Sequence, residues 1–64
     1  MEIKLGTVPL DVWFAEVFRG EEGVTEYVKL RLTGGPGFPA VPPIVCSPRA
    51  ARALAILLQQ AGGA

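Results

Sequence analysis

At the start of the chain, apolar Met1, Ile3 and Leu5 alternate with Glu2 and Lys4. That period of two puts the apolar side chains on one side of a half-buried strand. Pro9 has no backbone donor, so it marks the end of this strand or a bend at a sheet edge. From Asp11 to Arg19 nearly every position except Glu16 is apolar, which predicts a second strand covered on both faces or nearly so. Gly20-Glu21-Glu22-Gly23 is a polar turn with a glycine at each end, where positive φ is cheap, and Val24 to Thr33 alternates again. The two runs read as a central β-hairpin over 11–33.

Four prolines and three glycines in the ten residues Gly34 to Pro43 allow only an extended connection. Ile44-Val45-Cys46 is expected to be a short buried strand. Ser47-Pro48 then sets an N-cap and a first-turn proline in the order that starts a helix. The helix runs over 48–60, where helix formers dominate, and Gly62-Gly63 end it. Ala50, Ala51, Leu54, Leu57 and Leu58 form one stripe at helical spacing, with Ile56 away from its centre. The fold class is therefore α+β: one domain over 1–64, a small antiparallel sheet of three to four strands packed by one C-terminal helix.

A hairpin turn centred on Glu21-Glu22 pairs Arg19 with Val24, Val17 with Glu26, Ala15 with Val28 and Trp13 with Leu30 on one face. The opposite face pairs Phe18 with Thr25, Glu16 with Tyr27, Phe14 with Lys29 and Val12 with Arg31. On this register the first face receives the helix stripe of Leu54, Leu57 and Leu58. The second leaves Phe14, Phe18 and Tyr27 among Lys29, Arg31 and Glu16, an aromatic patch that calls for a partner. A second copy stacks Phe14 and Phe18 across a two-fold axis. Single-stranded nucleic acid stacks its bases on the aromatics and runs its phosphates along Lys29 and Arg31, with Arg19 or Lys4 as a further contact. A different protein partner is the third option.

Composition adjusts this picture. A chain of 64 residues buries only about 60% of its unfolded surface, so its core is thin. Cys46 is the sole cysteine and histidine is absent, which excludes an intrachain disulfide and leaves no usual zinc set. Self-association remains as extra support. Six basic side chains balance six acidic ones, whereas a strong nucleic-acid binder is normally basic. No signal peptide is read at Met1, no apolar run spans a bilayer, and the lone thiol suits the cytoplasm. Neither a cofactor nor a metal is expected.

Catalytic chemistry finds little to work with. Cys46 lies beside a helix start, where a thiolate is stabilised, but no base accompanies it, and it reads as a small core side chain. Ser47 reads as a cap. Asp11 and Glu16 sit five residues apart on one strand and point to opposite faces. Gly34-Gly35-Pro36-Gly37 runs into prolines and not into a phosphate-facing helix. The prolines from Pro36 to Pro43 read as a rigid spacer more than as a ligand for proline-binding domains. The chain is expected not to be an enzyme.

The segment Ile44 to Leu58, a strand, a Ser-Pro cap and an Ala/Leu helix, resembles the end of many small bacterial proteins. It is also similar to the closing part of PC4-like single-stranded-DNA-binding domains, in which a helix follows a curved antiparallel sheet and the protein dimerises. The resemblance implies this architecture and a homodimer, and it carries over no residue of a DNA-binding surface. The expected function is a non-catalytic interaction or structural module, self-associating through the outer sheet face of Phe14, Phe18, Tyr27, Lys29 and Arg31. The alternative is single-stranded nucleic-acid binding on that face.

Overall fold

The structure, a computed structural model, describes residues 1–63. It is an α+β fold in which four antiparallel strands, β1 (Glu2–Leu10), β2 (Trp13–Glu22), β3 (Thr25–Gly34) and β4 (Ile44–Cys46), lie side by side in chain order. Helix α1 (Pro48–Gly62) closes the chain. Asp11 and Val12, expected inside the second strand, form instead the two-residue loop joining β1 to β2, with Asp11 at φ 51°. Aspartate tolerates this left-handed region better than most residues, which is why the strand ends there. Pro9 pairs with Phe14 on edge strand β1, and a bulge between Lys4 and Gly6 interrupts the same strand at Leu5.

The β2–β3 turn also lies elsewhere than the sequence suggested. Its loop is Gly23-Val24, with Gly23 at φ +63°, and Val24 is fully exposed. Glycine at the first loop position is the requirement of a type II′ hairpin, whose twist matches that of the strands. Arg19 therefore pairs with Val28, Val17 with Leu30, Ala15 with Leu32 and Trp13 with Gly34. On the other face Phe18 pairs with Lys29, Glu16 with Arg31, Phe14 with Thr33 and Gly20 with Tyr27. Every expected partner moves by four residues, except that Val12, in the β1–β2 loop, has none. Because the shift is even, each side chain keeps its face. Gly20 is a strand residue beneath the Tyr27 ring, and a Cβ built on it runs into the ring's far end. The ring replaces the side chain that glycine lacks.

The proline-rich connection contains a turn. Phe38 N–H donates to the Gly35 carbonyl at 3.1 Å, and Gly37 takes φ +92°. Proline followed by glycine at the two central positions is the type II preference. The turn brings Phe38 onto Trp13, ring centroids 5.1 Å apart and planes at 58°. At the helix start, Ser47 Oγ accepts from Ala50 N–H at 3.1 Å. Gly63 caps the far end, its N–H donating to the Gln59 carbonyl at 2.8 Å.

The helix does not cover the sheet as expected. A single residue, Ser47, separates β4 from α1, and β4 is an edge strand, so the helix starts at the sheet margin and meets the sheet at β3. Pro48, Ala51, Arg52 and Ala55 border Arg19, Glu26 and Val28. No helix residue is buried, and Leu54, Ile56, Leu57 and Leu58 are all exposed. Ile44, expected in the core, is exposed on the inner face for the same reason, and Val45, also expected there, is exposed on the opposite face, beside Lys29. Among the described residues only Ala15 and Gly20 are buried.

Candidate functional site

The expected site residues share one face of the sheet, the outer face. Cross-strand pairing places Glu2, Lys4, Thr7 and Pro9 of β1 beside Phe14, Glu16, Phe18 and Gly20 of β2, then Tyr27, Lys29, Arg31 and Thr33 of β3 and Val45 of β4. Phe14, Phe18, Tyr27, Lys29 and Arg31 are thus brought together, but two ionic clusters already engage all of them except Phe14. Lys29 Nζ reaches Glu2 Oε1 at 2.8 Å and lies 4.7 Å from the Phe18 ring centroid. Tyr27 donates its hydroxyl to Glu2 Oε2 at 2.9 Å. Glu16 bridges Lys4 at 2.8 Å and Arg31 at 3.1 Å. Phe18 and Tyr27 are half-buried beneath this network, and of the three aromatics Phe14 alone is exposed.

These contacts leave a signature in proton affinity. The hydrogen bond from Lys29, helped by that from Tyr27, holds the Glu2 carboxyl below its ordinary 4.5. Lys4, with Arg31 behind it, does the same to Glu16. The bond to Glu2 raises the Tyr27 phenol above its ordinary 10.0. A carboxyl depressed in the fold stabilises it above 4.5, and that contribution is lost as pH falls through the lowered folded value. A phenol raised in the fold contributes fully below 10.0 and loses its contribution as pH rises through the higher folded value. The melting temperature is therefore expected to be flat between roughly pH 5.5 and 9 and to fall on both sides. Glu16→Gln should make the acid limb shallower. An acid limb of unchanged slope in that variant, measured by circular dichroism at low salt, would remove Glu16 from the account.

The inner face is the one that sequence reasoning assigned to the helix. It carries Ile3, Val8 and Leu10 of β1, Trp13, Ala15 and Val17 of β2, Val28, Leu30 and Leu32 of β3, and Ile44 and Cys46 of β4. Ile3, Val8, Leu10 and Ile44 are exposed, and the helix stripe beside them is bare as well. No local signal in the sequence separates a helix stripe that packs on its own sheet from one that does not. Among the described residues no group of three or more His, Cys, Asp or Glu is placed to hold a metal ion, and no helix is long and apolar enough to cross a membrane.

No family model matches this chain, and comparison with curated proteins and with solved structures likewise gives no match.

Proposed function

We propose that this chain is a small non-catalytic interaction module of the cytoplasm that works as a homodimer. The observation that carries this reading is its surface. A folded monomer of 6.8 kDa is expected to expose about 4,000 Å². This chain exposes 5109 Å², an excess of about 1,100 Å², above the ~800 Å² each partner buries in a standard interface and within the range of obligate dimers. Its radius of gyration, 13.0 Å, is that of a domain of about 100 residues. A second subunit supplies the missing half of the core.

Two surfaces compete for that contact: the outer face with Phe14 at its margin, and the inner face with the bare helix stripe. The nucleic-acid reading draws its cations from Lys29 and Arg31, with Arg19 or Lys4; Lys4, Lys29 and Arg31 are paired with Glu2 or Glu16, and Arg19 with Glu26. Phosphates there compete with carboxylates already in place, so assembly of the chain with itself is the better-supported reading. Light scattering over a concentration series, with and without a mixed-sequence single-stranded oligonucleotide, tests it. A mass near twice 6.8 kDa, unchanged by the oligonucleotide, is the expected result. A monomer at every concentration overturns the homodimer. Mass gained with the oligonucleotide and lost as salt rises moves nucleic-acid binding to first place.

A further inference from the structure

We infer that the homodimer is reciprocal, with helix α1 of each subunit lying across the inner sheet face of the other. The inference rests on the homodimer reading and specifies which surfaces meet. Two apolar surfaces of this chain lack a partner at once: the inner face, with Ile3, Val8, Leu10 and Ile44 exposed, and the helix stripe of Leu54, Leu57 and Leu58. Pairing helix with helix leaves the sheet in water. Stacking sheet on sheet leaves the helices in water. Only helix on sheet, twice over about a two-fold axis, covers both, and a two-fold contact requires that each seat recur.

The dimensions agree. Fifteen helical residues span about 22 Å at 1.5 Å each. Four strands at about 4.8 Å spacing are roughly 14 Å across. One helix therefore crosses the whole sheet. Edge-to-edge pairing through β1 is disfavoured, because Pro9 and the bulge at Leu5 interrupt its free margin. The outer face is the polar one, its charges matched within the chain, as suits the surface of the dimer that meets water.

Complementation distinguishes this arrangement from the others. Leu57→Lys spoils the helix seat and Val8→Glu the sheet seat; Val8 is 52% and Leu57 63% exposed, so in the separate subunit either introduced charge still reaches water. Each variant alone is expected to dimerise at least about tenfold more weakly, since each seat then buries a charge against apolar surface. Mixed, they should regain the wild-type mass: the heterodimer holds one unaltered helix on one unaltered sheet, and its other seat sets the introduced lysine of one subunit against the introduced glutamate of the other. Phe14→Lys on the outer face should leave the wild-type mass unchanged. If the separate variants are unfolded, recovery of the far-ultraviolet circular dichroism on mixing reads the same result. A dimer that persists in Leu57→Lys, one that Phe14→Lys dissociates, or a mixture that stays monomeric overturns the reciprocal arrangement while leaving the homodimer standing. A wild-type chain that is monomeric throughout overturns both.

Discussion

Ala15→Asp is expected to abolish the cooperative unfolding transition. Ala15 is 7% exposed, the most buried apolar side chain of the described residues. It lies between Val8 and Leu32 across the strands, with Trp13 and Val17 on either side along β2. No cation on the inner face is within one residue pair of it; the nearest basic position in β2 is Arg19, whose guanidinium is engaged with Glu26 at 3.5 Å. A carboxylate there is buried without a partner, at a cost of several kcal/mol after relaxation. A chain of 64 residues has only about 3–10 kcal/mol of stability in all. Ala15→Ser adds a hydroxyl of similar size and no charge, and should keep a cooperative melt with a lowered midpoint. A cooperative melt of Ala15→Asp within a few degrees of wild type, followed by circular dichroism, would show that Ala15 is not at the centre of the folded core.

How much of this was legible in the sequence follows from which signals are local. The four strands, the helix and the Ser47 cap are each specified by periodicity or by a few adjacent residues, and the structure has them all. The hairpin's faces were also legible, because an even error in register preserves parity: Phe14, Phe18, Tyr27, Lys29 and Arg31 share a face under either pairing. The register itself was not. Four residues with glycine at both ends offered two candidate turns, and the choice between them depends on non-local pairings. The register around Gly23-Val24 sets Gly20 under Tyr27, Phe18 against Lys29 and Glu16 against Arg31, which a turn centred on Glu21-Glu22 forgoes. The position of the helix was legible least. An amphipathic stripe records that a helix has an apolar side, and says nothing of whether its own chain or another covers it. The same holds for the outer face, where the aromatic count suggested an open patch but the cross-strand partners Glu2 and Glu16 close most of it.

The connection between β3 and β4 makes a sharper prediction than its proline content suggested. A Cβ built on Gly34 falls 2.6 Å from Phe38 Cβ and 2.7 Å from its Cγ. These atoms lie next to the backbone, so relief requires moving the Gly35–Phe38 turn and lifting the Phe38 ring off Trp13. Gly20 presents a different case, because there the clash is with the far end of the Tyr27 ring, which can swing aside. Gly34→Ala should therefore cost about 2 kcal/mol, within the range of overpacking, and lower the melting temperature by roughly 10 °C for a domain this small. Gly35→Ala, whose built Cβ lies 3.8 Å from the nearest Phe38 atom, should melt close to wild type. If Gly34→Ala acts by dislodging Phe38, it should cost much less in a Trp13→Ala background, since the contact it breaks is then already gone. Equal costs in the two backgrounds, read from denaturant midpoints, would mean that the penalty lies in the β3 strand itself and not in the Trp13–Phe38 contact.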